Sequence, residues 1–242
     1  IGGRPDTVSR ITAADLEGIR RRFHHPSRLV LSCAGDIDES RLLEQLDRIV
    51  AECGWERPAA AVLPAGREPG SPRARARRVP MEVREPAFLV GIKDPGVLPD
   101  HPLPAGERAL RSLAGRLFFE SLLGPSSPLF DVLFHEGLVN ESFAVQYQCE
   151  PDVAFLLAGG ESGDPDRAVA RIRDLLPEAV AAGPAPSLFD IQKRAAAGHF
   201  IRSLDAVESC GLAAARSAVS GIDLFDYPAF YDRIDLSGAI RS

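Results

Sequence analysis

Apolar side chains first recur at helical spacing. Ile11, Leu16, Ile19 and Phe23 fall on one face of a helix. Thr12 stands three residues before Asp15, a capping-box-like start with a short acid. Pro26 ends the helix, because it pushes His25 out of the α region. The period then changes. Leu29-Val30-Leu31-Ser32-Cys33-Ala34-Gly35 is a short apolar run closed by glycine, which predicts a buried strand. Asp36-Ile37-Asp38 supplies a turn and an N-cap. Leu42, Leu43, Leu46, Ile49 and Val50 then form the stripe of a second amphipathic helix that ends near Cys53-Gly54. Residues 11–54 thus read as one helix–strand–helix unit.

The pattern stops at residue 58. Prolines at 58, 64, 69, 72 and 80, with Gly66 and Gly70, mark a linker over 58–80. Arg73, Arg75, Arg77 and Arg78 sit inside it. They read either as a basic docking strip or as the solvated end of a linker running into an edge strand.

Periodicity returns after the linker. Met81, Val83 and Phe88-Leu89-Val90-Gly91-Ile92 predict a strand within 79–93. A proline-rich loop leads to a long helix over 105–123, with Leu110, Leu113, Leu117 and Leu122 on one face. Gly124-Pro125 breaks it, and Ser126 or Ser127 caps a short helix over 129–136 that stops at Gly137. Alternation over 142–149, the turn Glu150-Pro151-Asp152, and the run 153–160 predict a hairpin. Asp164-Pro165-Asp166 places cap, proline and acid at the start of another helix, which carries Val169, Ile172, Leu175 and Leu176. Ser187 with Asp190 opens the next, through Phe200 and Leu204. A further short helix lies within 204–219, and alternation over 234–240 reads as the start of a strand.

Strands interleaved with singly striped helices predict an α+β fold: a mixed or antiparallel sheet with helices on one face. Three divisions are expected. Residues 1–57 are the closing remnant of a preceding domain, 58–80 the linker, and 81–242 a second domain cut short at its C-terminus. The opening Ile1-Gly2-Gly3 has the look of a cut end, with no apolar leader.

Charge and candidate chemistry narrow the function classes. A formal charge of −6, from 28 Lys plus Arg against 34 Asp plus Glu, is a poor footprint for nucleic acid. No apolar run reaches the ~18 residues that span a bilayer. Cys33, Cys53, Cys149 and Cys210 have no C-x-x-C spacing and read as buried, reduced thiols of an intracellular, cytoplasmic protein. The histidines are His24, His25, His101, His135 and His199. None forms H-E-x-x-H or H-x-x-E-H. His135-Glu136 is the nearest approach, and it lacks a second histidine four residues away. No nucleophile signature is present, so the residues alone give no catalytic set and no metal set.

Three segments together resemble the insulinase/pitrilysin family of zinc metallopeptidases. The first runs from Ile1-Gly2-Gly3 through Ile11-Thr12-Ala13-Ala14-Asp15-Leu16 and Phe23-His24-His25-Pro26 to Ala34-Gly35-Asp36-Ile37-Asp38. It is similar in order and spacing to the family's stretch after the catalytic segment, with phenylalanine and histidines where tyrosine is usual. The second, Phe134-His135-Glu136-Gly137-Leu138-Val139-Asn140-Glu141-Ser142-Phe143, resembles a helix-to-strand junction "R-E-x-x-G-L-x-Y-S". The third, Gly159-Gly160-Glu161-Ser162-Gly163-Asp164-Pro165-Asp166, resembles a strand-to-helix step of a bacterial, cytoplasmic subgroup.

The resemblance implies an insulinase-like half with no cofactor of its own. Zinc would be held in the part preceding this chain, by two imidazoles and a carboxylate, with the motif glutamate as general base. This chain would supply a substrate-enclosing wall of the peptidase chamber. Its partners would be the remaining half of the same peptidase or a homologous subunit, and a peptide substrate, with neither nucleic acid nor membrane. The arginine–tyrosine pair with which such halves hold substrate would fall at Leu133 and Asn140, where neither residue matches. The same fold without zinc would be a structural or assembly protein, and a free-standing small-molecule-binding α+β domain is a further reading. Apolar faces left uncovered over 11–54 predict self-association or packing against another surface.

Overall fold

A computed structural model describes residues 3–53, 71–72, 74–97 and 103–241. Most of the expected linker therefore lies outside the described residues. By contacts the chain divides into two compact units, Ile1–Pro64 with Leu204–Val219, and Ala65–Ser203 with Ser220–Ser242.

The first unit is helical. A single turn, α1 (Pro5–Val8), precedes α2 (Ala13–Phe23). The expected capping box is present: Thr12 Oγ1 accepts from the Asp15 N–H at 3.2 Å, and Asp15 Oδ2 accepts from the Thr12 N–H at 2.9 Å. On the exposed face Glu17 takes hydrogen bonds from Arg20 and Arg21, which lower its carboxyl to about 2. A 3₁₀ turn over Pro26–Arg28 follows. Asp38 then caps α3 (Glu39–Glu52), its Oδ1 accepting from the Arg41 N–H at 3.0 Å. The strand expected over 29–35 does not form. Residues 29–34 are irregular, and Leu29, Val30 and Leu31 are exposed. An extended run becomes a strand only when a neighbour takes its backbone donors and acceptors, and the described residues offer this segment none.

The apolar stripes of α2 and α3 also remain open, with Leu16, Ile19, Leu43, Ile49 and Val50 all exposed. Neither helix buries a residue. The hydrophobic core of the described residues lies wholly in the second unit, between Val97 and Ile234. The later helix of the first unit, α8, is given in its place below.

The second unit begins its sheet with β1 (Ala87–Asp94). The expected strand started earlier, at 79, but Met81 and Val83 are exposed and unpaired with the sheet. Pro86 sets the boundary. It has no N–H for a ladder, while its carbonyl accepts from the Ser162 N–H at 2.9 Å. Next come α4 (Ala105–Leu123) and α5 (Pro128–His135), the latter capped by Ser127. The hairpin β2 (Ala144–Cys149) and β3 (Ala154–Glu161) follows as expected. The sheet order is β1-β3-β2 and every pairing is antiparallel.

Register puts Ala154, Leu156 and Ala158 of β3 beside Cys149, Tyr147 and Val145 of β2, so one face carries the core. Phe88 and Gly160 pair, as do Leu89 and Gly159. At Gly159 a Cβ would lie 2.1 Å from the Phe88 carbonyl oxygen, so only glycine fits there. The helix α4 packs on β2 and contributes Leu113, Leu117, Phe118 and Leu122 to the core.

The remaining helices are α6 (Pro165–Ala182), α7 (Pro186–Ser203), α8 (Val207–Ser220), α9 (Tyr227–Arg233) and α10 (Leu236–Arg241). Asp164 caps α6, accepting from the Arg167 N–H at 3.1 Å. The last helix replaces the strand expected over 234–240. Asp235 decides it: its Oδ1 accepts from the Gly238 N–H at 2.5 Å and its carbonyl from the Ala239 N–H, a helix N-cap. In the first unit α8 lies near the irregular apolar run, since a Cβ on Gly211 would stand 3.7 Å from Ala34 Cβ.

Candidate functional site

The junction after α5 holds both positions singled out from the sequence. Leu133 is fully buried, and its carbonyl accepts from the Leu138 N–H at 2.9 Å. With Gly137 at φ +68°, this is a Schellman-type end to α5. Asn140 sits at the following turn, where its Oδ1 accepts from the Ser142 N–H at 2.8 Å and from the Ser142 hydroxyl at 2.6 Å. Ser142 Oγ in turn accepts from the Glu161 N–H at 2.8 Å, which ties the turn to the end of β3. Leu133 thus has no surface left for a ligand, and Asn140 is engaged in its own turn.

His135 and Glu136 do not converge on a metal. His135 is exposed at the end of α5, and Glu136 is gripped by Arg171 of α6, with Nη2–Oε1 at 2.8 Å. Among the described residues no group of three or more His, Cys, Asp or Glu side chains could hold a metal ion. The cysteines correct the expectation of buried thiols. Only Cys149 is buried, Cys210 is half-buried, and Cys33 and Cys53 are exposed. Cys33 lies in the irregular apolar run, and Cys53 is the C-cap of α3.

Two constellations went unread in the sequence. In the first, Arg111 of α4 reaches Asp94 at the end of β1 through Nη2 at 2.8 Å and Nε at 3.1 Å, and Tyr147 of β2 donates its hydroxyl to Asp94 Oδ2 at 2.5 Å. Burial pushes the Asp94 carboxyl up. The hydrogen bonds from Tyr147, the Gly96 N–H and Arg111, with the arginine charge, outweigh that and hold it below the usual range. Burial and the neighbouring carboxylate push the Tyr147 phenol well above its ordinary value, so it stays a donor. A Cβ on Gly115 would lie 2.4 Å from the Tyr147 ring, so glycine lets the ring lie against α4.

The second constellation is a recess of about 520 Å³, a volume in the range of ligand sites. Arg116 and Glu120, one turn apart on α4, face Gln192 and His199 of α7 across it, with Val145, Gln146 and Tyr147 of β2 on a third side. Burial raises the Glu120 carboxyl, with Arg116 opposing the shift. The signal for this site was the i,i+4 pair of charges in the otherwise largely apolar C-terminal half of α4. Nothing local marked its partners on α7.

These features define an α+β domain with a walled recess, in which the described residues bring no three metal-ligating side chains together. Residues 10–196 match the family model described as the Peptidase M16 inactive domain. The chain belongs to the M16 peptidase family. It is 24% identical over 237 residues to the uncharacterized zinc protease YmfH of Bacillus subtilis (strain 168), covering 98% of this chain and 54% of that protein. The crystal structure of an M16-like peptidase from Alicyclobacillus acidocaldarius superposes with a TM-score of 0.79 at 25% identity, over 100% of this chain and 56% of that one. A protease from Helicobacter pylori shares the fold, with a TM-score of 0.71 at 19% identity, over 99% of this chain and 57% of that one. The chain therefore spans about half the length of the relatives it matches. Among the described residues no helix is long and apolar enough to cross a membrane.

Proposed function

We propose that this chain is the non-catalytic, substrate-enclosing wall of a cytoplasmic zinc metalloendopeptidase. Its partner is the remaining half of the same peptidase or a homologous subunit, and the enclosed substrate is a peptide. The observation that carries the reading is the match of residues 10–196 to the M16 inactive domain. Zinc on the other half would supply the activated water. This half would supply shape, and the open apolar stripes of α2 and α3 a place for the other half to pack.

The test is a metal analysis run beside a fluorogenic peptide-cleavage assay. The chain alone is expected to carry no stoichiometric zinc and to cleave nothing, and co-expression with the remaining half should give chelator-sensitive cleavage. One zinc per isolated chain with cleavage would overturn the reading. A second reading, a structural or assembly protein of the same fold, is supported by positions 133 and 140, where the Leu133 carbonyl takes part in a helix end and the Asn140 side chain in a turn. It predicts a stable assembly with the other half and no cleavage.

A further inference from the structure

We propose that the recess between α4, α7 and β2 is a subsite for a cationic side chain, lysine or arginine, of an extended peptide, with Glu120 as its counter-ion. The proposal rests on the reading of this domain as a peptide-enclosing wall, and adds which peptides the wall selects.

Three independent observations point to a cation. First, Glu120 is half-buried, and among the described residues its carboxylate has no hydrogen bond or ion pair within the protein. A carboxylate withdrawn from water without a partner is costly, and an arriving positive charge restores what burial removed. Second, the carboxylate folds back toward the C-terminal end of α4. A Cβ on Gly124 would stand 2.5 Å from Glu120 Oε1, so glycine at 124 leaves room for that conformation. The last turn of α4 holds no basic residue, so the negative end of the helix adds to the carboxylate instead of being neutralised. Third, the walls suit a long aliphatic stem. Leu117 of α4, Val145 of β2 and Ala195 and Ala196 of α7 line the approach, and Phe200 and Tyr231 present their rings 6.3 Å apart.

Arg116 is the competing charge. It is exposed, and its Nη2 points to the Tyr231 hydroxyl at 3.3 Å, away from an ion pair with Glu120. Remaining hydrated, it gains less from a ligand than the buried carboxylate does. An anion entering the recess would also have to face Glu120. Gln146 and Gln192 offer carbonyl oxygens that a guanidinium can use beside the carboxylate, and His199 closes the far wall.

The test uses short, end-blocked peptides carrying one arginine or, at the same position, citrulline, which keeps the shape and removes the charge. Binding to the full chain is followed by fluorescence anisotropy at low ionic strength. The arginine peptide is expected to bind about tenfold more tightly than the citrulline peptide, as for a charge-assisted contact. The preference should vanish in Glu120→Gln. Equal binding of the two peptides to the unaltered chain would overturn the cation subsite and leave the wall reading standing. Binding of neither peptide would remove both. A preference retained in a folded Glu120→Gln would also overturn the proposal, by assigning the charge to another group. The arginine–citrulline comparison is made on the unaltered chain, so it decides the matter even where the variant fails to fold.

Discussion

Arg111 grips Asp94 through two nitrogens, joining the middle of α4 to the last residue of β1. Both side chains keep under a fifth of their exposure, 18% and 19%. Breaking such a pair leaves a charge with nothing to face. Arg111→Met is expected to cost about 2–4 kcal/mol, slightly below the range for fully buried pairs. Urea denaturation followed by near-ultraviolet circular dichroism measures it, and an unchanged midpoint would show the pair to be energetically idle.

The same pair sets an acid limit. Because folding lowers the Asp94 carboxyl, its contribution is fully present above its unfolded value of 3.8. It is lost as pH falls through the lower folded value. Thermal melts of the parent protein and Asp94→Asn should therefore differ most near neutrality and converge below that window.

Glu120 should behave in the opposite sense. Its folded carboxyl lies above the ordinary 4.5, so its favourable contribution exists below that value and disappears as pH rises through the folded one. At neutral pH Glu120→Gln is expected to stabilise the chain slightly, by about 1 kcal/mol or less since solvent screens a half-exposed group. The gain should vanish in melts run under acid conditions. A variant less stable at neutral pH would mean that the carboxylate is already satisfied.

The glycines of the third resemblance segment separate cleanly. Gly159→Ala places a Cβ against the Phe88 backbone, which has no side-chain freedom with which to yield. It should cost several kcal/mol or undo the β1–β3 pairing, by analogy with overpacked cores at about 1–3 kcal/mol or more. Gly163→Ala meets nothing within 4 Å and should stay within about 0.5 kcal/mol of the parent. Amide exchange along β1 distinguishes the two.

Leu16→Glu with Leu43→Glu tests the open stripes of the first unit. Both side chains are more than half exposed, so folding should change by about 0.5 kcal/mol or less for each. Self-association in sedimentation velocity should fall. A parent chain that stays monomeric at high concentration would count against those stripes as a contact surface.

What was legible in the sequence was chemistry that acts over a few residues. Thr12, Asp38, Ser127 and Asp164 cap helices where their spacing placed them, since a cap needs only the next three N–H groups. The hairpin of β2 and β3 was readable because its turn is local. The run 29–35 failed because a strand is defined by a neighbour, and apolar content cannot say whether one is there. The tail over 234–240 failed because a single cap at Asp235 outweighed alternation. The site failed for a third reason. Tyr147 and Asp94 are 53 positions apart, and Glu120 meets His199 only across a fold that no local period encodes.

The discontinuity of the first unit bears on how the protein is made. Its opening segment ends at Pro64, and the helix that completes it begins only after Leu204. On the ribosome, roughly 140 residues must be translated between the two, a wait of about 7–28 s at ordinary elongation rates. Throughout that interval Ala34 and Gly35 are in the nascent chain without the helix they lie beside, while Ala65–Ser203 emerges behind them. The order of synthesis thus leaves the first unit incomplete until α8 has emerged, and the second until Ser220–Ser242 follows it with Phe230, Tyr231 and Ile234 of the core.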